Sequence, residues 1–332
     1  MATVARLIRI GRGLTDRREP SRQGPAWHEA RPEWIAGAVA AAQAGPTGGW
    51  FALDASRRIT ERPRGFIVAG EPLVVYRHGN RVIAGPDLCP HMGARLSEGR
   101  TERGALVCPW HGLRLGERRS GSWRPVPTHD DGVLVWARLH EPGEPPTDRP
   151  ILPTRPGRFI AGVVRVEASC DPCDVLANRF DPWHGTRLHP YAFGRLQVLD
   201  IGDDHVVVRV AKRIAGPFAI EVDARFDSPE RRTIVMTIVA GEGEGSVVET
   251  HATPIVPGRT AIVEASLASS ERLGFGLARL LSRVIRPFIE RSARRLWMDD
   301  RAYAERLYQI HGREDVLRSP AHDRRSLDPT RC

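Results

Sequence analysis

From about residue 50 the chain is a succession of short apolar runs broken by glycine and proline. In "PLVVYRHGNRVIAG" two such runs flank Gly79-Asn80, a two-residue hairpin signal. "GALVCP" and "GVLVWARL" read as two further strands, so residues 48–141 are expected to form a small, mostly β domain. Residues 1–47 are basic and punctuated by Pro and Gly, with one Ala-rich helix expected over 32–44, lying on the surface or on the next domain. After the β region, six prolines fall between Pro142 and Pro156, and residues 142–157 are expected to be a stiff, extended linker.

The second half continues through "RFIAGVVRVEA", "HVVVRVAKRI", "FAIEVDARF", "RTIVMTIVA", "SVVETHATPIV" and "RTAIVEASL". In "FAIEVDARF" the residues Phe218, Ile220, Val222, Ala224 and Phe226 alternate with polar or small ones, the period of a strand with one buried face. Successive strands joined by short turns predict a meandering antiparallel sheet. "GFGLARLLSRVIRPFIERSARRLW" then sets Leu277, Leu280, Leu281, Val284, Phe288 and Ile289 on one helical stripe, expected to pack on that sheet and to kink or break at Pro287. A long helix on an antiparallel sheet makes residues 158–312 an α+β domain, and the charged tail 313–332 is expected to be disordered.

With 332 residues, 41% of them hydrophobic, the chain is long enough for two domains. Its net charge of +9 is carried almost wholly by arginine, since Lys212 is the only lysine. A basic surface suits acidic partners such as a small electron carrier. The arginines are scattered rather than gathered with aromatics in one patch, which argues against nucleic acid as the partner. Five cysteines, an odd number in a long chain, argue against a secreted disulfide framework and for a reducing cytoplasm. No apolar run approaches a membrane span, and the one near the N-terminus is too short for a secretion signal.

The chemistry concentrates in two places. "CPHMGARLSEGRTERGALVCPWHG" holds Cys89 and His91, then sixteen residues, then Cys108 and His111. Four such ligands could hold zinc, but zinc fingers pair Cys with Cys and His with His, whereas here each loop offers one of each. Two thiolates on one iron and two neutral imidazoles on the other would use that mixed arrangement. The pattern, with Pro after each Cys and Gly after His111, resembles the Rieske [2Fe-2S] signature. By that resemblance Cys89 and Cys108 bind one iron, and His91 and His111 the other. High-potential respiratory members carry a disulfide across the two loops at the positions occupied here by Ala94 and Trp110. The resemblance is therefore to the ferredoxin and oxygenase branch, although Leu113 and Leu115 stand where oxygenase members usually carry aromatics.

The second place is "CDPCDVLANRFDPWHGTRLHP", which carries Asn178, Asp181, His184 and His189 as N-x2-D-x2-H-x4-H. On a continuous helix the first three share a face, with His189 a turn further on near the stop imposed by Pro190. Pro182 complicates this: either Asp181 caps a new helix that starts at the proline, or the helix kinks there. Two imidazoles and one carboxylate on Fe(II) would leave positions open for O2 and substrate. The stretch resembles the mononuclear-iron segment of Rieske non-haem iron oxygenases, which implies that His184 and His189 are iron ligands and that Asn178 lies near the iron. By the same resemblance Asp181 is not a ligand but a catalytic residue, hydrogen-bonded across a subunit interface to the partner subunit's His111. The third ligand is a carboxylate near the C-terminus. "LWMDDRAYAERLYQ" offers Asp299 and Asp300, which point about 100° apart on a helix, so only one can serve. The resemblance favours Asp300.

Cys170 and Cys173 form a lone CxxC, read as packing residues ahead of the iron segment. His205 and His251 on expected strands are either satisfied polar groups or cavity-lining residues. The family resemblance implies an oxygenase α subunit with a Rieske domain and a helix-grip domain. It would draw electrons from an external ferredoxin or flavin reductase and use O2 to hydroxylate, demethylate or desaturate, by mono- or dioxygenation. An apolar substrate such as an isoprenoid, carotenoid, steroid or aromatic is expected, in a head-to-tail homotrimer. The other class is a non-catalytic electron carrier fused to a lipid-binding helix-grip domain, containing the cluster but no working mononuclear iron.

Overall fold

The structure, a computed structural model, describes residues 7–9, 31–215 and 218–318. It opens with a short strand β1 (Leu7–Arg9) and helix α1 (Pro32–Gln43), whose Pro32 and Glu33 suit a first helical turn. The Rieske-like region follows as β2 (Trp50–Ala55), β3 (Arg64–Val68), β4 (Glu71–His78), β5 (Arg81–Pro86), β6 (Arg100–Glu102), β7 (Ala105–Val107), β8 (Arg114–Leu115), β9 (Thr128–Asp130) and β10 (Leu134–Arg138). They form three antiparallel sheets ordered β2-β10-β9, β3-β4-β5 and β6-β7-β8. The β4–β5 hairpin turns at Gly79-Asn80 with His78 opposite Arg81, in the register the sequence predicts.

The second lobe comprises β11 (Ile160–Ala168), α2 (Pro172–Phe180), α3 (Gly185–Leu188), β12 (Phe193–Ile201), β13 (His205–Ala215), β14 (Phe218–Glu230), β15 (Thr233–Gly241), β16 (Val247–Val256) and β17 (Arg259–Ala268). Helices α4 (Phe275–Leu280) and α5 (Ser282–Arg318) complete it. The sheet runs β11-β17-β16-β15-β14-β13-β12, all antiparallel, with β1 added alongside β14. This is the α+β architecture expected. Among the described residues no helix is long and apolar enough to cross a membrane.

Alternation along the strands gives the sheet two different covers. Val164, Ile234 and Ile262 face a core built with Ala38, Val39 and Ala42 of α1, Val175, Leu176 and Phe180 of α2, and Trp297 and Ala304 of α5. Their sequence neighbours Val163, Val235 and Val263 point to the opposite face and pack with Trp50, Ala52, Leu134 and Trp136 of the Rieske-like lobe. The α1 helix, expected on the surface or on the next domain, packs Ala38, Val39 and Ala42 into the core of the second lobe, although the whole cluster-type domain separates the two in the chain.

Polar contacts fix the junction of the lobes. Arg155 of the Pro-rich segment bridges Asp131 (3.1 Å) and Glu249, while Thr253 Oγ1 donates to the Ala52 carbonyl at 2.7 Å. Arg58 donates to the Val163 carbonyl at 2.9 Å.

The helical stripe departs from expectation. Leu277, Leu280, Leu281, Val284 and Phe288 are exposed, and only Ile289 is half-buried. The cause is the anchoring of α5 by other residues. Ala293, Trp297, Asp300 and Ala304 are buried, with the Trp297 indole donating to buried Glu264 at 2.7 Å. Near its start, Arg286 donates to the Ala161 carbonyl and Glu290 accepts from the Val163 amide, so polar groups rather than the leucines meet β11. The helical run breaks at Leu281, between α4 and α5, while Pro287 sits inside α5. On β14, Val222 and Ala224 are buried but Phe218 is exposed. Helix α5 continues to Arg318, into the tail read as disordered. Residues 319–332 lie outside the described residues.

Candidate metal centres

Two loops of the first lobe share one backbone frame. In residues 89–94 the Cys89 amide donates to the Ala94 carbonyl (2.9 Å) and Gly93 to the Cys89 carbonyl (2.9 Å). In residues 108–113 the Cys108 amide donates to the Leu113 carbonyl (2.9 Å) and Gly112 to the Cys108 carbonyl (3.1 Å). Each loop turns through a left-handed glycine, Gly93 at φ +81° and Gly112 at φ +72°, where a side chain would strain the backbone. Within this common frame the histidine is the third residue of one loop and the fourth of the other.

The cysteines point inward, 3% and 2% exposed, whereas His91 and His111 are exposed with ring centroids 4.7 Å apart. Burial works to push the Cys108 thiol up, but the Trp110 and His111 amides hydrogen-bond its sulfur and hold it below the ordinary thiol range. The donor set fits a [2Fe-2S] cluster with a buried thiolate-bound iron and an outer imidazole-bound one.

In the second lobe, the continuous helix face expected for Asn178, Asp181 and His184 does not form. Helix α2 ends at Phe180, and Asp181 is extended (φ −81°, ψ 102°), as a residue before proline must be. Its Oδ1 accepts from the Trp183 amide at 2.9 Å, making a turn around Pro182, and the chain re-enters a helix only at Gly185. His184 and His189 thus bracket α3 at its two ends. The break swings both imidazoles toward α5, where Asp300 waits.

Asp300 Oδ1 is the hub. It lies 2.7 Å from His189 Nε2, 3.3 Å from His184 Nε2 and 3.3 Å from Asn178 Nδ2. Ligand atoms of His184, His189 and Asp300 all fall within 4.8 Å of one another. Asn178, His189 and Asp300 are fully buried, and Asn178 Oδ1 and His184 Nδ1 have no hydrogen-bond partner among the described residues. Two imidazoles, one carboxylate and orphaned polar atoms in a buried pocket fit a divalent transition metal.

The electrostatics agree. Burial opposes the charge on His184, yet the Asp181 and Asp300 carboxylates outweigh it and push the imidazole up to about 9. Burial likewise works to raise Asp300, but hydrogen bonds from His184 and His189 hold it well below the usual carboxylate range. In the metal-free chain a proton substitutes for the cation, so metal binding would release it.

Asp299, the other acid of the pair, stands behind His189. Its Oδ2 is 3.4 Å from His189 Nδ1 and accepts the Tyr191 hydroxyl at 2.8 Å. Such an outer partner holds the proton on Nδ1 and leaves Nε2 free for a metal. Asp181 Oδ2 accepts the Tyr303 hydroxyl at 2.9 Å and lies 3.7 Å from His184 Nδ1, too far for a hydrogen bond. No bond joins Asp181 to a cluster histidine of the same chain among the described residues. Sequence reasoning missed both tyrosines, although Tyr303 follows Asp300 by three residues on one helix and Tyr191 follows His189 by two.

The remaining candidates have structural roles. Cys170 is buried in the main core. His205 binds Asp204 and Asp200 at the surface, and His251 bonds Thr233 and Glu249 beneath Trp136, 4.7 Å from its ring.

A family model described as "Domain of unknown function (DUF5914)" matches residues 141–315, more than half of the chain. The chain belongs to this family. A Rieske [2Fe-2S] domain model matches residues 49–139, ahead of it. The vanillate O-demethylase oxygenase subunit of Pseudomonas sp. (strain HR199 / DSM 7063) is 39% identical over 72 residues, 21% of this chain. The chain spans only 20% of the length of that relative. The structure of dicamba monooxygenase bound to dicamba aligns over 84% of this chain and 92% of its own, with TM-score 0.63 and 20% identity. An oxygenase–ferredoxin complex of carbazole 1,9a-dioxygenase aligns over 88% and 90%, with TM-score 0.57 and 14% identity. This DUF5914 protein therefore joins a Rieske domain to a second domain in the fold of Rieske oxygenase α subunits.

Proposed function

We propose that this DUF5914 protein is the oxygenase component of a Rieske non-haem iron system. The observation that carries the reading is the buried set His184, His189 and Asp300, assembled from two distant segments downstream of a complete Cys89–His91–Cys108–His111 donor set. A carrier of electrons alone has no use for a second buried donor set with orphaned polar atoms beside it.

When bound, the cluster supplies single electrons and the mononuclear iron supplies the place where O2 is reduced. The chain's own residues hold and orient. Cys89 and Cys108 would keep one cluster iron inside, and the exposed imidazoles of His91 and His111 would hold the other at the face open to an electron donor. His184, His189 and Asp300 would hold the mononuclear iron. Asp299 and Tyr191 fix the His189 ring from behind, and Asn178 steadies Asp300. Tyr303 orients Asp181 for a hydrogen bond to the partner subunit's His111, in a head-to-tail homotrimer that brings the two centres of neighbouring chains together.

Electrons come from an external ferredoxin or flavin reductase. The ferredoxin complex of the carbazole oxygenase supports this, as do the exposed Trp110 and Met92 beside the cluster imidazoles. The substrate is an apolar small molecule, an aromatic, steroid, isoprenoid or carotenoid, which is hydroxylated, demethylated or desaturated. Phe193, whose ring centroid is 6.2 Å from that of His189, supplies apolar surface beside the metal set, and the vanillate and dicamba enzymes act on small aromatics.

Iron and sulfide analysis after anaerobic purification tests the reading. About three irons and two sulfides per chain are expected, together with a nitric oxide signal from open-site Fe(II). A chain with about two irons and no such signal is an electron carrier.

A further inference from the structure

Six of the large exposed apolar residues fall within sixteen positions, Leu273, Leu277, Leu280, Leu281, Val284 and Phe288. Their exposure is extreme: Leu280 is 82% exposed, Phe288 70%, Val284 64% and Leu277 63%. Contiguous open apolar surface of this kind marks a contact site rather than ordinary surface. Arginines surround it. Arg279, Arg283, Arg291 and Arg294 are exposed and have no carboxylate partner among the described residues. Of the nearby acids, Glu290 is turned inward onto the Val163 amide and Arg57, and Glu271 is exposed only at the edge of the strip, before Leu273. On α5 itself, Val284, Phe288 and Arg291 occupy the strip opposite Ala293, Trp297 and Asp300, so the same helix grips the metal set on one side and presents this surface on the other.

We infer that α4 and the first turns of α5 form a docking surface for a membrane bearing anionic lipid. Leucines and a phenylalanine would enter the boundary between headgroups and acyl chains, and the arginine stems would lie along them with their guanidinium groups on lipid phosphates. The charge pattern selects this occupant over a second copy of the chain. Two such faces apposed in a two-fold dimer would set arginine against arginine, whereas an anionic bilayer complements both the apolar strip and its rim. Phe288 and Asp300 are twelve residues apart, or roughly 18 Å along the helix. An apolar substrate dissolved in the bilayer would thus be delivered close to the metal set. That last step rests on the proposed function; the docking surface does not.

The test is co-sedimentation of the full, cluster-loaded chain with vesicles of phosphatidylcholine alone or of roughly 7:3 phosphatidylcholine and phosphatidylglycerol. The chain sediments with the anionic vesicles, and about 0.5 M salt weakens this binding. The Leu280→Asp/Phe288→Asp variant loses at least about tenfold in bound fraction while keeping the cluster absorption spectrum. Arg279→Gln/Arg283→Gln loses only the part that depends on phosphatidylglycerol. A wild-type chain that stays in the supernatant with both vesicles overturns the inference, as does an aspartate variant that binds undiminished. A wild-type oligomer that the aspartate variant splits, without vesicle binding by either, makes the face a contact between copies and also overturns it. Iron analysis is independent of sedimentation, so failure of the proposed activity and failure of the docking surface are separately visible.

Discussion

The Tyr303 hydroxyl donates to Asp181 Oδ2 at 2.9 Å, tying the long C-terminal helix to the turn that leads from α2 into His184. Asp181 would otherwise hold a largely buried carboxylate oxygen without a donor. Tyr303→Phe is expected to cost about 1–3 kcal/mol of stability, seen in chemical denaturation. It should also slow re-oxidation of a pre-reduced cluster by O2 and substrate while leaving iron content unchanged. Unaltered single-turnover kinetics would show that Asp181 needs no positioning by Tyr303.

Asp299 and Asp300 divide the work around His189. Asp300→Ala is expected to abolish mononuclear iron and leave the cluster spectrum intact, whereas Asp299→Ala should retain the metal with affinity lowered about 10–100-fold. Metal titration of the two variants distinguishes them, and the reverse order of effects would move the ligand to Asp299.

Gly112→Ala places a side chain at φ +72°, a left-handed conformation that costs an alanine roughly 1–2 kcal/mol. The expected outcome is a lower sulfide content per chain, with near-native far-ultraviolet circular dichroism, because the strain falls on the cluster loop alone. Full cluster loading would show that the loop relaxes without the glycine.

Arg155 is the charge that makes the junction of the lobes possible. Burial alone would raise the Asp131 and Glu249 carboxyls; Arg155 holds Asp131 below its ordinary value of 3.8, and His251 together with Arg155 holds Glu249 below 4.5. Carboxyls lowered on folding stabilise the chain above those ordinary values and lose that contribution as pH falls through their folded values. Thermal stability should therefore decline steeply between about pH 5 and 3. Arg155→Met leaves buried Asp131 without its ion partner and Glu249 with His251 alone, and is expected to cost about 3–5 kcal/mol at neutral pH, with a shallower acid transition. Equal acid profiles in the two proteins would remove Arg155 from this role.

What the sequence made legible was local. The mixed Cys/His spacing, the Gly79-Asn80 hairpin and the strand alternation each depend on residues near one another, and each has its counterpart in the structure. The second donor set was legible as a list of residues but not as an arrangement, because Pro182 breaks the helix that spacing alone would draw through Asn178, Asp181 and His184. The choice between two adjacent aspartates depended on the rotation of α5, which Trp297 and its bond to Glu264 set from the far side of the helix. The same anchoring turned the leucine stripe outward, since periodicity identifies an apolar face without naming what it faces. Tyr191 and Tyr303 were invisible because their importance comes from partners on other segments.

Val163 and Val164 are consecutive residues held by different lobes, one against the Rieske side and one beneath the helices. A chimera that transplants a foreign cluster domain onto this sheet must therefore match the outward residues of the strands it touches, since Ala161 and Val163 of β11 already pack with the lobe being replaced. The two redox modules are separable on paper at the proline-rich segment, but in three dimensions the seam runs through single strands.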